Sequence, residues 1–243
     1  MTLVPFVCVW KKDMVEVYQR DDTHNVFHGF FNVVSKDICE KCGNPCRLII
    51  EGDYHCLESY LHDQLKEVDG VFQLGHYYRK SSMSARKEKD ILNECIWALK
   101  KDPDWAIPIA QSMFMAIKEN FPMLLDVDAI VPVPNHPLDI HPDAKAVALS
   151  HRLQEQFKIH GKNVELIHAL RKVKNISVRS LPRIGIENVV DGMFEFNNRS
   201  VANKNILLVD DVLTTGNIKG RCAKILKSNG AKKIWVIVAG RTV

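Results

Sequence analysis

The sequence lacks any hydrophobic run long enough to cross a bilayer, which takes about 18 or more apolar residues. Its apolar start, residues 3–10, has neither a basic segment before it nor a small-residue cleavage site after it. It also contains no internal repeat and no low-complexity stretch. Together these absences predict a globular, cytoplasmic protein without a membrane partner.

Neither sign of charge dominates, because 33 Lys and Arg stand against 29 Asp and Glu, for a net charge of +4. Without a block of like charges, this balance does not indicate a nucleic-acid-binding tail. The chain has 243 residues, of which 46% are hydrophobic. That length can bury the core of one large domain, or of one ordinary domain and a small module.

The seven cysteines are unevenly placed. Cys8, Cys95 and Cys222 are scattered in apolar surroundings, where we expect small core residues. The other four fall within 18 residues and have no export signal ahead of them; they are Cys39, Cys42, Cys46 and Cys56. Clustering of this kind favours a metal site in a reducing compartment over a disulfide framework.

The first two clustered cysteines have the spacing of a metal-binding knuckle, Cys39-x2-Cys42, followed by Gly43. Four sulfur ligands would complete a closed, structural zinc site, which would supply much of the folding free energy of so small a module. The spacing leaves open that His55 or His62 replaces Cys46 as a ligand.

The pattern of apolar residues divides the chain into three units: residues 1–36, an N-terminal β-hairpin region; 37–70, a zinc-knuckle module; and 71–243, an α/β domain. Helices are predicted over 85–100, 106–121, 144–157 and 217–228, and strands over 129–133, 164–167, 206–209 and 234–239. This alternation predicts a mainly parallel sheet flanked by helices. Residues 171–190 are basic and without periodicity, so we expect a long loop there.

The most informative segment follows the strand predicted at 206–209. Two carboxylates end that strand, and a Thr-Thr-Gly turn then leads into a helix; the residues are Asp210, Asp211, Val212, Leu213, Thr214, Thr215, Gly216 and Asn217. Backbone N–H groups at a helix start bind anions, threonine hydroxyls add donors, and glycine lets a phosphate approach closely. Carboxylates at the strand end can accept hydrogen bonds from a sugar diol. The plainer alternative is a strand end followed by a helix cap.

This segment resembles the phosphoribosyl-diphosphate (PRPP) signature of type I phosphoribosyltransferases, except at Ile218, where the family has a small hydroxyl or basic residue. The resemblance implies the type I phosphoribosyltransferase fold for 71–243. It also implies that Asp210 and Asp211 bind the ribose hydroxyls, and that Thr214, Thr215 and Gly216 bind the 5′-phosphate, within a PRPP site spanning 210–217.

A cysteine knuckle joined to such a domain is similar to the competence-associated ComF group. By this resemblance the basic stretch is a mobile loop whose cations meet the diphosphate: Arg171, Lys172, Lys174, Arg179 and Arg183. The group's Arg-Gly segment after Val131–Pro134 is absent, so Lys145 or a histidine would have to meet the diphosphate.

These features predict a magnesium-assisted transferase that moves the 5-phosphoribosyl group from PRPP to a base or amine acceptor, with Asp210 and Asp211 as the catalytic candidates. One alternative is a non-catalytic PRPP or nucleotide sensor that serves DNA uptake or processing. The other is a zinc module that contacts a nucleic acid or a protein partner. The family resemblance also makes a homodimer an expectation.

Overall fold

The computed structural model describes residues 60–78, 91–135, 144–174, 176 and 189–242 in full, together with the backbone of five earlier strands and Ser59. Three of these strands form an antiparallel sheet in the order β1-β2-β3: β1 Phe6–Lys11, β2 Met14–Arg20 and β3 Asn25–Asn32. Strands β1 and β2 form the hairpin predicted within 1–36, and β3 adds a third strand to it. Strands β4 (Leu48–Ile50) and β5 (Asp53–His55) form a short antiparallel pair.

The rest of the chain builds an α/β unit around a five-stranded sheet. Its strands are β6 Gly70–Tyr77, β7 Ala129–Pro132, β8 Glu165–Leu166, β11 Asn205–Leu213 and β12 Lys233–Thr242. Its helices are α1 Ser59–Gln64, α2 Ile91–Ala98, α3 Ala106–Asn120, α4 Lys145–Ile159 and α5 Asn217–Ser228. A separate two-stranded pair, β9 Leu170–Lys172 and β10 Phe194–Phe196, is antiparallel.

All neighbouring strands of the large sheet are parallel, in the order β6-β12-β11-β7-β8. From β11 the chain continues through α5 to β12 on one side, whereas from β7 it continues through α4 to β8 on the other. The connections thus diverge between β11 and β7. In an open parallel sheet such a switch point leaves a crevice at the carboxyl ends of the two strands, where ligands bind.

The sheet is buried on both faces, which explains its nearly continuous apolar strands. In β11, Leu207 and Val209 join a core with α2, α3 and α4, whereas Ile206 and Leu208 join a second core with α1 and α5. Side chains of successive strand residues point to opposite faces, so each strand contributes to both cores.

The sequence missed β6, whose apolar pattern is interrupted by the buried Gln73 and by two glycines. The sequence analysis also predicted only a loop over 171–190, whereas in the structure β9 lies at the start of that stretch and pairs with β10. Helix α2 is described from Ile91 onwards, and residues 85–90, where its predicted start falls, lie outside the described part of the chain. Cys95 and Cys222 are buried as expected.

Candidate functional site

The two carboxylates predicted from the sequence lie at the carboxyl end of β11, beside the switch point. Asp210 is 2% exposed and Asp211 is 5% exposed. Burying an ionised carboxylate is costly unless it is paired and hydrogen-bonded. The partners of each aspartate therefore decide what the site can do.

Asp210 pairs with the ammonium group of Lys219, which lies in the first turn of α5 and is 5% exposed. The same ammonium donates to the backbone oxygen of Val212 at 2.7 Å. Asn135, which follows β7 across the crevice, donates its side-chain amide to Asp210 Oδ1 at 3.2 Å. Lys219 thus ties the helix to the strand end, and Asp210 joins β11 to the segment after β7.

Asp211 pairs with a different lysine, at 2.8 Å from the Nζ of Lys145 to Oδ2. Lys145 begins α4, and 25% of its side chain is exposed. The other oxygen of Asp211 accepts the backbone N–H of Val212 at 2.9 Å. This carboxylate therefore has one backbone hydrogen bond and one side-chain partner that reaches solvent.

The surroundings move the two pKa values in opposite directions. Burial raises the pKa of Asp210, although the charge of Lys219 opposes the shift. Burial also acts to raise the pKa of Asp211, but the nearby ammonium groups of Lys145 and Lys219 outweigh it and hold that pKa below its usual range. Opposed shifts in adjacent carboxyls are typical of functional sites.

The turn after the carboxylates has the backbone geometry of an anion site. Gly216 has φ +81°, in the left-handed region that favours glycine, and occupies the cap position of α5, where it offers no side chain to the first N–H groups. Arg241 of β12 donates to the carbonyl oxygens of Leu213 and Thr214 at 3.0 and 2.5 Å. These bonds fix the backbone of the turn from the neighbouring strand β12.

The basic residues predicted to meet a diphosphate separate into two environments. Lys172 is buried and donates to the backbone oxygen of Asn135 at 2.9 Å, so it lies close to the crevice. Arg171 points the other way and pairs with Glu195 on the exposed side, at 2.5 Å. Lys174 is exposed near Gly192, and Arg179 and Arg183 lie outside the described residues.

The predicted zinc ligands Cys39, Cys42, Cys46 and Cys56, and the alternative His55, have no described side chains, so the zinc site stays a prediction. His62, the other alternative, lies in α1. Within 60–78, 91–135, 144–174, 176 and 189–242, no three His, Cys, Asp or Glu side chains are grouped to hold a metal ion. In the described part of the chain, no helix combines the length and hydrophobicity that a membrane span requires.

The sequence analysis missed three residues that complete the site, Lys219, Arg241 and Asn135. The sequence contains two signals for them, a lysine in the first turn of the helix after the Thr-Thr-Gly segment and an arginine near the end of an otherwise apolar strand. The geometry of a parallel sheet would place both of them near residues 210–214. The residue that departs from the family pattern, Ile218, packs against the core instead of lining the turn.

No protein-family model matches the chain, and no curated protein matches it. Among solved structures, it is similar to a purine phosphoribosyltransferase from Pyrococcus horikoshii Ot3, with 14% identity, 70% of this chain and 91% of that chain covered, and a TM-score of 0.32. These comparisons give no support to a ComF group membership or a zinc module. An identity and a TM-score this low do not establish shared ancestry, so the function has to be argued from the site itself.

Proposed function

We propose that the chain binds PRPP at the carboxyl edge of its parallel sheet and transfers the 5-phosphoribosyl group to a base or amine acceptor. One observation carries the proposal. Two buried carboxylates lie in the carboxyl-terminal half of β11 at the switch point, and four residues separate them from a left-handed glycine at the start of α5. Such an arrangement places acceptors for a sugar diol beside donors for a phosphate.

The phosphate end of the ligand would lie against Thr214, Thr215 and the first N–H groups of α5. The ribose hydroxyls would reach Asp211 and Asp210. Asp211 is the more accessible of the two, because its partner Lys145 is partly exposed whereas Lys219 is buried. We therefore assign ribose binding chiefly to Asp211, with Lys145 released from it when the diol binds.

The released Lys145 and the buried Lys172 would then flank the diphosphate, on the side of the crevice formed by Asn135. Both lysines already lie within hydrogen-bond distance of groups in the crevice. Arg179 and Arg183 complete the proposed diphosphate contacts, whereas Arg171 would first have to leave Glu195.

Transfer breaks the bond between ribose C1 and the diphosphate oxygen, and the bonding electrons leave with the diphosphate. The lone pair of the acceptor nitrogen forms the new bond to C1, and the proton that this nitrogen loses goes to the leaving diphosphate or to water. Preorganised cations stabilise the charge that develops on the leaving group, which is the role we assign to Lys145 and Lys172. Magnesium, when bound, would neutralise further diphosphate oxygens. Because Asp210 contacts Lys219 and Asp211 is assigned to the ribose hydroxyls, magnesium would be held mainly by ligand oxygens and water, which suits its coordination chemistry.

The proposal is tested by calorimetric titration of PRPP with magnesium into the wild type and Asp211→Asn. We expect binding by the wild type and at least about tenfold weaker binding by the variant, since a charged hydrogen bond is lost. Asp126→Asn is the matched control, because Asp126 is exposed and pairs only loosely with Lys162, at 3.5 Å. If the wild type does not bind PRPP, the proposal is wrong.

A second candidate is a PRPP or nucleotide sensor without transferase activity, serving DNA uptake or processing. It is favoured by the ion pair of Asp211 with Lys145, because a carboxylate whose pKa is lowered by a neighbouring ammonium group is a weak general base. Diphosphate release during incubation of PRPP with a panel of bases and amines separates the two. Release with any acceptor identifies a transferase, and tight binding without release identifies a sensor. The zinc module's contact with a nucleic acid or a protein, and the homodimer, stay predictions.

A further inference from the structure

Helix α1 precedes the parallel sheet in sequence but packs directly on the turn that the proposed function assigns to phosphate. A Cβ added at Gly216 would lie 2.7 Å from Cδ1 of Leu61, and one added at Gly220 would lie 1.8 Å from the backbone oxygen of Gln64. Real Cβ atoms do not approach so closely. Two glycines of the turn and of α5 therefore make room for α1.

The contact is also polar. The hydroxyl of Tyr60, in α1, donates to Oδ1 of Asn217 at 3.2 Å. The amide nitrogen of the same Asn217 donates to Oγ1 of Thr215, also at 3.2 Å. A hydrogen-bonded chain thus runs from α1 through the first residue of α5 to a threonine hydroxyl of the turn.

The direction of these bonds decides what Thr215 can do. Because Tyr60 donates to Oδ1, the side-chain amide of Asn217 presents its NH₂ group to Thr215. The oxygen of Thr215 then accepts a hydrogen bond, and its own proton is left to donate elsewhere. A threonine held as an acceptor on one side is prepared to donate to a phosphate on the other.

We propose that Tyr60 is a positioning residue of the phosphate site, which acts through Asn217 to direct the Thr215 hydroxyl towards a phosphate monoester. This inference rests on the proposed function. Ile218 stands where a polar residue would be expected, and it packs on the core. The side chain of Tyr60, from another element, brings a hydroxyl to the same end of α5. Tyr60 is 36% exposed, so its ring borders the solvent beside the turn.

The test is Tyr60→Phe, which removes the hydroxyl and keeps the ring. Three ligands are titrated calorimetrically: PRPP with magnesium, ribose 5-phosphate, and diphosphate with magnesium. We expect about three- to tenfold weaker binding of the first two, the effect of one net hydrogen bond, and unchanged binding of diphosphate, which has no 5′-phosphate. Tyr78→Phe is the matched control, because the Tyr78 hydroxyl contacts His76 and not the turn.

A double variant separates positioning from a general structural role. In an Asn217→Ala background, Tyr60→Phe should cause no further loss of ribose 5-phosphate affinity, because the chain is already broken. Three outcomes would each overturn the inference. Tyr60→Phe could weaken the binding of all three ligands equally or leave the affinity for ribose 5-phosphate unchanged, or the losses of the two substitutions could add in the double variant.

Failure of the proposed function gives a different result. If ribose 5-phosphate binds and depends on Tyr60 but PRPP does not bind, the phosphoribosyl transfer is wrong and the role of Tyr60 stands. If the wild type binds neither ligand, both are wrong.

Discussion

Both edges of the parallel sheet carry carboxylates, but in opposite environments. At the amino edge, Asp69 and Asp128 precede β6 and β7. Each accepts a backbone N–H from the start of a neighbouring strand at 2.7 Å, Asp69 from Ile234, the second residue of β12, and Asp128 from Asn205, the first residue of β11. Asp69 also contacts the half-buried Lys227, and Asp128 is exposed. At the carboxyl edge, Asp210 and Asp211 are buried and need lysines to offset their charge.

This difference separates a structural use of carboxylates from a functional one. The aspartates at the amino edge satisfy strand ends at little cost, because water solvates their remaining oxygens. Those at the carboxyl edge are desolvated, a cost that stability alone does not require, since apolar residues could fill the same space. The concentration of buried charge at one edge, at its switch point, supports the ligand site proposed there.

The largest expected effect is at the buried ion pair. Lys219→Met leaves Asp210 without its cation, so we expect a loss of about 3–5 kcal/mol in the free energy of unfolding at neutral pH. The pKa of Asp210 is already raised by burial, and it rises further without Lys219, so protonation in acid should relieve part of the loss. Urea unfolding at neutral and acidic pH measures both.

Lys227→Met, at the amino edge, is the control for that experiment. Its partner Asp69 keeps the N–H bond from Ile234 and partial solvation, so the loss should be below about 1 kcal/mol. Equal losses at the two positions would remove the distinction between the edges.

The next effect concerns two glycines with similar backbone angles. Gly216 has φ +81° and lies against Leu61, whereas Gly161, which follows α4 on the way to β8, has φ +76° and no atom near its missing Cβ. Gly161→Ala should cost about 1–2 kcal/mol from backbone strain alone. Gly216→Ala should cost about 1–3 kcal/mol more, because the methyl group overpacks against α1. Thermal unfolding of both variants gives the difference, and equal costs would show that α1 is not pressed against the turn.

The sequence could predict the turn and not its support, for a physical reason. Residues 205–217 are local: an apolar strand, two carboxylates, a glycine and a helix start, each with its own signature. Tyr60 and Arg241 come to the turn from elements that are distant in the chain, through the order of the strands. That order depended on β6, whose buried Gln73 and glycines hide the pattern of a strand.

A smaller effect should appear in the pH dependence of stability. The pKa of Asp211 is lowered in the folded protein, so its ionised form stabilises the fold above the usual carboxyl pKa of about 4 and loses this contribution as the pH falls. Lys145→Met removes the main cation, which should cost about 1 kcal/mol at neutral pH for this partly exposed pair and much less in acid. Urea midpoints measured from pH 3 to pH 7 test this, because that range spans the ordinary carboxyl pKa of about 4. A constant difference across that range would contradict it.

The smallest effect is expected at the amino edge itself. Asp69→Asn keeps an oxygen that can accept the N–H of Ile234 and removes only the charge that faces Lys227. Because both side chains are partly solvated, the loss should be at most about 0.5–1 kcal/mol and should fall as salt is added. Urea unfolding at low and high salt measures it. A larger, salt-independent loss would mean that the amino edge also depends on a desolvated charge, and burial would then no longer distinguish the two edges.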